Sequence, residues 1–252
     1  MSKHINLICY RWGTKYGVEY VNRLYGMVSR NLTIPFTLHC MTDDLNGLRK
    51  EVAGHLLPPD HLNGNLNKIM TFQKNFLDLE GELLVSLDLD LVIVGNIDFL
   101  ADNPEDDFKI CGGSWVPGGV RGNGSVYRVR VGALSYVWEN MMSNPEGLID
   151  FNQNRKNLLG EQKYLNRVIE NYTYFPDHKI VSFKRHCHAK GYSLFGDWGE
   201  SHGLTTAIFG KASPPTEAAI VSFHGRPLPL DVMNSRCGKW RRAPFVKEHW
   251  RE

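Results

Sequence analysis

The sequence predicts a single α/β domain with a Rossmann-like layout, in which helices flank a mainly parallel central sheet. Strand-like and helix-like segments alternate through the first 94 residues, as in βαβ units. Residues 83–94 are almost continuously apolar, which is typical of strands buried on both faces of a sheet. No internal repeat, low-complexity tract or linker interrupts the 252 residues, so one large domain is the simplest organisation.

The first half of the chain predicts its elements by the spacing of apolar residues. A period of two or a short apolar run indicates a strand, and apolar residues three or four apart indicate a helix. The predicted order is a strand at 5–10, a helix at 17–32, a strand at 36–41, a helix at 65–79 and strands within 83–94.

The second half is less regular. We expect strands at 108–115 and 125–131 around a glycine-rich loop at 117–124, then helices at 132–142 and 160–170, a strand-like stretch at 180–183 and a last strand at 218–223. We place the catalytic domain at 1–235 and treat 236–252 as a basic, aromatic tail.

Composition and charge restrict the classes of partner and compartment. A net charge of +2 argues against nucleic acid as a partner. The five cysteines are widely spaced and odd in number. Residues 1–10 have no apolar run of signal-peptide type, and no later apolar stretch reaches transmembrane length, so we expect a cytoplasmic protein without disulfides. The tail leaves two alternatives open. It contacts an anionic membrane or a polyanionic acceptor, or it packs its aromatic side chains on the domain.

Two carboxylates interrupt the apolar run at 83–94. Asp88 and Asp90 are spaced two residues apart, and burying unpaired carboxylates costs several kcal/mol. Ligands of open α/β sheets bind beyond the carboxyl ends of strands. We therefore expect Asp88 and Asp90 to hold Mn²⁺ or Mg²⁺, with phosphate oxygens and water completing the coordination. The structural alternative is a pair of aspartates that cap turns or pair with arginines.

The segment around these aspartates resembles the D-x-D region of glycosyltransferases with the GT-A fold. The similarity is greatest to family 8-like sugar transferases of bacteria and viruses, and it continues in the same order through most of the chain. The other matching segments are 10–17, 20–25, 40–44, 122–126, 160–162 and 223–227. This resemblance implies a GT-A fold and the transfer of a sugar from a nucleotide-diphosphate donor, with UDP-sugars favoured.

The resemblance also implies roles for individual residues. Asp90 would be the more direct metal ligand, and Asp88 would also reach the donor. Glu161 and Gln162 match an Asp-Gln pair near the reacting carbon, with glutamate in place of the aspartate. The implied donor-binding positions are Lys68, Asp88, Leu89, Asn123, Gly124 and Ser125. For Lys68 the alternative is a solvated charge on a helix face, and for 123–125 it is a plain turn.

The segment at 223–227 departs from the family 8 pattern. Aligned on Gly225, the family's histidine and lysine correspond to Ser222 and Leu228. We expect His224 to be the third metal ligand instead, because neutral imidazole binds Mn²⁺, and Arg226 to assist the diphosphate. The alternative for His224 is a histidine bound to backbone groups.

Two further segments carry candidate ligand contacts. The loop after the first strand meets the nucleotide in such sheets, so Tyr10, Arg11 and Tyr16 are expected to contact the donor, with core packing as the alternative for Tyr10. Lys184 and His186 are candidate contacts for phosphate or acceptor.

These observations predict a metal-dependent hexosyltransferase that retains the anomeric configuration. Its acceptor would be a glycan, a lipid-linked sugar or a small molecule. An inverting reaction stays open, because Glu161 could act as a general base. Two other classes also remain. One is a nucleotide-sugar-binding module without turnover. The other is a metal-dependent phosphohydrolase or nucleotidyltransferase, which would need further carboxylates at a second metal; Asp43, Asp44 and Asp98 are available, but no recognised spacing supports them.

Overall fold

A computed structural model describes residues 4–59, 62, 64–112, 122–143, 160–188 and 210–252. Contacts divide the chain into two compact units. Unit 1 comprises Met1–Glu19, Ile34–Asp88 and Phe99–Phe175, and unit 2 comprises Tyr20–Thr33, Leu89–Asp98 and Pro176–Glu252. The predicted division into a catalytic domain at 1–235 and a tail at 236–252 stays a prediction.

The described residues form ten strands. They are β1 (Ile5–Arg11), β2 (Phe36–Thr42), β3 (Val52–Leu56), β4 (Leu83–Leu87), β5 (Leu91–Ile93), β6 (Phe108–Gly112), β7 (Gly122–Arg130), β8 (Thr173–Tyr174), β9 (Ile180–Ser182) and β10 (Ile220–Ser222).

Unit 1 contains a seven-stranded sheet with the order β3-β2-β1-β4-β7-β6-β8. β1 pairs in parallel with β2 and β4, β2 pairs in parallel with β3, and β6 with β8. Among the described strands of this sheet, only β7 runs antiparallel to its neighbours β4 and β6. The predicted α/β fold with a mainly parallel central sheet is therefore confirmed.

The helices are shorter and less regular than the sequence pattern predicts. Within the described ranges the α-helices are α1 (Val18–Asn31), α2 (Ser135–Ser143), α3 (Glu161–Val168), α4 (Phe183–His186), α5 (Pro229–Met233) and α6 (Pro244–His249). The prediction of an α-helix at 65–79 was wrong, because this stretch forms 3-10 helices at Gly64–Phe72 and Phe76–Asp78. Asn75, Leu77 and Asp78 have positive φ angles, which a continuous right-handed helix does not permit.

The apolar run at 83–94 is split between β4 and β5, and Asp88 and Asp90 lie in the break. Both aspartates are therefore outside the strands. Of the predicted loop at 117–124, residues 122–124 belong to β7, and 117–121 lie outside the described residues.

The core of unit 1 consists of two clusters of buried apolar side chains. One joins the 3-10 helix at Gly64–Phe72 to β6, β7, α2 and α3, and includes Phe72, Tyr127 and Tyr164. The other includes Ile8, Tyr10 and Leu84. These clusters fix β4, β7 and α3 against one another, and the candidate site is built on those three elements.

Unit 2 contains a three-stranded sheet in which β10 lies between β5, its antiparallel partner, and β9, its parallel partner. The aromatic rings of Phe245 and Trp250 are buried. The Trp250 ring meets Tyr20 edge-on at 4.9 Å between centroids, and the Arg23 guanidinium lies 4.1 Å from its centroid. These two rings of the tail therefore pack on unit 2 and are not presented to a membrane.

Within the described ranges, no helix combines the length and the apolar character that crossing a bilayer requires.

Candidate active site

The centre of the candidate site is a buried lysine between two carboxylates. Lys68, on the 3-10 helix, donates from Nζ to Asp88 Oδ1 at 2.9 Å and to the Gly124 carbonyl at 2.6 Å. Its Nζ also lies 3.3 Å from Glu161 Oε1. The Lys68 and Glu161 side chains are only 6% and 4% exposed, whereas the Asp88 side chain is 33% exposed. The solvated-charge alternative for Lys68 is therefore wrong, and Asp88 is the member of the trio that solvent reaches.

Backbone pairing places Asp88 beside β7. Asp88 follows β4 directly, and its N–H donates to the Ser125 carbonyl at 2.9 Å. Because β7 runs antiparallel to β4, the first residues of β7 lie next to the last residues of β4. This arrangement brings Asn123, Gly124 and Ser125 to the end of the sheet where Asp88 lies.

The trio perturbs the protonation of its own members. Burial raises the pKa of Glu161 to about 7; Lys68 opposes this shift, and the charge of Asp88 adds to it. Burial alone would lower the pKa of Lys68, but the charges of Asp88 and Glu161 raise it above its ordinary value. Lys68 therefore stays charged, and Glu161 titrates near neutral pH.

Helix α3 fixes the start of β7 through two amide side chains. Gln162 Oε1 accepts bonds from Asn123 Nδ2 at 3.0 Å and from the Gly124 N–H at 3.3 Å. One turn later, Asn166 accepts a bond from the Gly122 N–H and donates to the Gly122 carbonyl, both at 2.7 Å. Because residues four apart share a helix face, Gln162 and Asn166 together set the position of β7.

Gly124 permits the close approach of Glu161. A β carbon at position 124 would lie 2.5 Å from Glu161 Oε2. This distance is shorter than any ordinary contact, so a side chain at position 124 would displace the carboxylate.

Two buried tyrosines fix the 3-10 helix that carries Lys68. Tyr127 donates to the Lys68 carbonyl at 3.1 Å, its hydroxyl oxygen lies 3.2 Å from Thr71 Oγ1, and its ring centroid is 5.3 Å from Lys68 Nζ. Tyr10 is buried, and its hydroxyl lies 2.8 Å from Thr71 Oγ1. Tyr10 therefore packs in the core, which was the alternative to donor contact, and its ring is not exposed to stack on a base.

The loop after β1 makes its own contacts within unit 1. Arg11 is buried and lies 3.8 Å from Asp44, and the Gly13 N–H donates to Asp43 at 2.7 Å. Tyr16 is half-buried beneath Lys15, whose Nζ is 4.5 Å from the ring centroid. Asp43 and Asp44 therefore stabilise this loop, and donor binding by Arg11 and Tyr16 stays a prediction.

The remaining predicted residues lie in unit 2. Leu89 and Asp90 are buried, and the Asp90 carbonyl accepts a bond from the Phe223 N–H at 3.2 Å. His224 Nε2 lies 2.6 Å from Ser182 Oγ. Burial, together with the charges of Lys184 and Arg185, lowers the pKa of His224 to about 4, so its imidazole is neutral.

Three basic candidates in unit 2 have protein partners. Lys184 donates to the His224 carbonyl at 2.7 Å, and His186 Nδ1 accepts from the Ser182 N–H at 2.9 Å. Arg226 is largely exposed and pairs with Asp231 at 3.1 Å.

Asp98, considered for a second metal, accepts hydrogen bonds from the Thr33 backbone N–H and hydroxyl. The predicted ligand roles of Asp98 and of the three basic residues stay predictions.

Among the residues that the structure describes, no three histidine, cysteine, aspartate or glutamate side chains form a metal-binding group. The oxygen donors of the D-x-D segment nevertheless fit a hard cation, because Mg²⁺ and Mn²⁺ sites use one or two carboxylates and fill the rest with phosphate and water. The partly exposed Asp88 carboxylate provides such an oxygen. The metal itself stays a prediction.

Sequence reasoning did not identify Asn166, Thr71 or Tyr127. Asn166 had a detectable signal, since it is four residues from Gln162 on a predicted helix. Thr71 and Tyr127 act through contacts across the core, and the sequence carries no local signal for them.

No protein-family model matches the chain, and no curated protein matches its sequence. Solved structures do match. The glycosyltransferase GlyE from Streptococcus pneumoniae TIGR4 aligns with a TM-score of 0.59 and 14% identity over 98% of this chain. The chain spans 60% of the length of GlyE.

Structures of LgtC align over most of both proteins. An active-site mutant of LgtC gives a TM-score of 0.59 and 10% identity over 97% of this chain and 94% of LgtC. The galactosyltransferase LgtC in complex with donor and acceptor sugar analogues gives a TM-score of 0.55 and 9% identity, with 89% of each chain covered. At these identities the likeness establishes the fold, and this chain has the α/β fold of the GT-A glycosyltransferases.

Proposed function

We propose that the protein is a metal-dependent glycosyltransferase that moves a sugar from a nucleotide-diphosphate donor to a hydroxyl acceptor. The observation that carries the proposal is the Lys68, Asp88 and Glu161 trio at the carboxyl end of β4. In α/β sheets this end is where ligands bind. The GT-A fold provides independent support, because its neighbours are glycosyltransferases.

Each member of the site has a distinct proposed task. Asp88 and Asp90 hold the divalent cation, which when bound neutralises charge on the donor diphosphate. Lys68 positions Asp88 through the hydrogen bond from its buried ammonium to Asp88 Oδ1. The side-chain oxygen of Gln162 already accepts hydrogen bonds from β7. Its NH₂ group is therefore the part that donates to a sugar oxygen.

Glu161 is proposed to act close to the reacting carbon. A carboxyl group with a pKa of about 7 exchanges protons readily at neutral pH, as a general acid or base requires. Most of the rate acceleration would come from holding the acceptor hydroxyl against the donor. We propose retention of configuration, as the resemblance to family 8 implies.

A thermal-shift screen tests the proposal. Nucleoside-diphosphate sugars are added with and without Mn²⁺ to the wild type, to Asp88→Asn and to the control Glu105→Gln. The control removes an equal charge from a position outside the site. We expect one donor to raise Tm only with Mn²⁺, in the wild type and control but not in Asp88→Asn.

Release of the nucleoside diphosphate is then measured with the donor that binds. Release that needs both Mn²⁺ and Asp88 supports a transferase. Binding without release would favour a nucleotide-sugar-binding module, and no Tm shift with any donor at millimolar concentration would reject the nucleotide-sugar site.

A further inference from the structure

Unit 1 contains a cavity of about 730 Å³ that is separate from the candidate active site. It is formed by the residues before β6, the start of α2, and the segment from the end of α3 into β8. Its volume lies within the range of roughly 300–1,000 Å³ that is usual for small-molecule sites.

Strand register locates this cavity at the opposite end of the sheet from Asp88. Phe108, which lines the cavity, pairs with Val129, and Val129 also pairs with Leu84. Leu84 precedes Asp88 by four residues, which is about 13 Å along a strand at ~3.3 Å per residue. A ligand in this cavity would therefore not occupy the position of the donor.

The charges in the cavity favour a neutral ligand. Its lining includes Asp106, Asp107 and Glu170. Asp106 lies 3.2 Å from Lys109 Nζ, and Asp107 lies 2.9 Å from Arg130 Nε. Both aspartates are already charge-balanced, so their oxygens are suited to accept bonds from hydroxyl groups. The third acidic side chain, Glu170, adds a negative charge to the lining, which would repel a phosphate-bearing ligand such as the nucleotide sugar.

Two tyrosines provide the apolar surface. Tyr172 is held by edge-on contacts with Phe108 at 6.0 Å and Tyr174 at 5.5 Å, and its hydroxyl donates to Asn166 at 3.0 Å. Tyr136 on α2 is 41% exposed. Tyr136 and Glu170 line the same cavity, and burial and then the charge of Glu170 raise the pKa of the Tyr136 phenol. Rigid aromatic rings beside hydroxyl acceptors match a ligand with one apolar face and a rim of hydroxyls.

We propose that this cavity is a second saccharide-binding site, which takes a short neutral segment of a glycan. Tyr136 and Tyr172 contact the apolar faces of the sugar rings, and Asp106, Asp107 and Glu170 accept bonds from its hydroxyls. The site is independent of the donor chemistry, so it can be tested whether or not the transferase proposal holds.

The test is a calorimetric titration with maltotriose, cellotriose, lactose and mannotriose. The variants are Tyr136→Ala and Glu170→Gln, which change exposed side chains of the cavity. The matched controls are Met142→Ala, which is 48% exposed on the same helix as Tyr136, and Glu139→Gln, also on α2. Neither control residue lines the cavity. We expect one saccharide to bind the wild type, both controls and Asp88→Asn equally, and to bind each cavity variant at least about fivefold more weakly, a loss of roughly 1 kcal/mol.

Three results would overturn the proposal. One is no binding of any of the four saccharides at ~10 mM, the weak end of specific recognition. Another is binding that Asp88→Asn abolishes and Tyr136→Ala leaves intact, which would assign the saccharide to the donor site. The third comes from a parallel titration with spermidine: binding of this cation, lost in Glu170→Gln, without binding of any saccharide.

Discussion

The chemistry of the candidate site depends on one lysine shared by two carboxylates of unequal exposure. Asp88 is partly exposed and accepts a hydrogen bond from Lys68 at 2.9 Å. Glu161 is buried with an oxygen 3.3 Å from the same ammonium, and burial raises its pKa to about 7, so its protonated form persists to neutral pH. A buried carboxyl group that titrates near neutral pH is a common feature of sites where acid–base chemistry occurs.

The raised pKa of Glu161 predicts a pH-dependent stability. Between its ordinary pKa of 4.5 and about 7 the native state binds this proton more tightly than the unfolded state, so the contribution of Glu161 to stability falls as pH rises. Glu161→Gln should remove that fall. Urea unfolding at pH 5 and pH 8 should show the variant gaining ~1–3 kcal/mol on the wild type at the higher pH.

The control for this prediction is Glu105→Gln, which should follow the wild type at both pH values because Glu105 is not buried. An equal difference between Glu161→Gln and the wild type at pH 5 and pH 8 would mean that Glu161 is ionised in the native state across this range.

At the residue scale, most of the side chains that meet around Lys68 were candidates from the sequence, and their functional roles stay predictions. Lys68, Asp88, Asn123, Gly124, Glu161 and Gln162 were predicted from separate segments, and the structure brings them together in unit 1. Their assembly was implied by a resemblance and not by the residues themselves. The register between β4 and β7 that brings them together depends on contacts between distant parts of the chain.

At the scale of elements, a buried arginine secures the connection that leads into β6. Arg128 on β7 is fully buried and donates to the carbonyls of Leu100, Asp102 and Asn103 at 2.6–2.9 Å. These carbonyls belong to residues 100–103, in the segment that precedes β6. Arg128 therefore provides hydrogen bonds to a segment that lies outside the described strands.

Replacing Arg128 should be strongly destabilising. Arg128→Met leaves three carbonyls without their donor, and the expected loss is about 3 kcal/mol in the free energy of unfolding. Chemical denaturation measures it. Lys74→Met, which breaks an exposed ion pair with Glu139, is the control and should cost under ~1 kcal/mol. Equal losses for the two variants would contradict the role assigned to Arg128.

Elements with local signals were predicted better than elements without them. The helix α1 and the strands β1, β2 and β4 follow apolar patterns, which are a property of neighbouring residues, whereas β3 has no such pattern and was not predicted. The stretch at 65–79 has a helical pattern of apolar residues, yet it forms 3-10 helices, and residues near its end have left-handed backbone angles. Packing of Leu66, Ile69 and Phe72 into the core satisfies that pattern without an α-helix.

At the scale of the molecule, segments distant in sequence complete each unit. In unit 2, Arg30 on α1 donates to the carbonyls of His249, Arg251 and Glu252 at 2.7–3.0 Å. A β carbon on Gly26 would lie 2.5 Å from the carbonyl carbon of Glu252. The basic, aromatic segment that the sequence set apart as a tail is thus part of the packing of unit 2.

This packing predicts a large effect of a substitution far from the candidate site. Trp250→Ala should lower the free energy of unfolding by about 3 kcal/mol or more, because it removes a buried ring that contacts Tyr20 and Arg23. Thermal and urea unfolding measure the change, with Lys247→Ala on the exposed face of α6 as the control. A cost for Trp250→Ala as small as that of the control would show that the ring contributes little to unit 2.

The contact between Gly124 and Glu161 has a consequence for the evolution of the sequence. A side chain at position 124 would displace the carboxylate of a glutamate at position 161 from its place beside Lys68, since both would need the same space. In relatives of this protein the two positions should therefore covary: those with glutamate at 161 would be restricted to glycine at 124, whereas an aspartate, shorter by one methylene, would release that restriction. The conservative exchange of glutamate for aspartate at position 161 would then decide whether residues other than glycine are accepted at position 124.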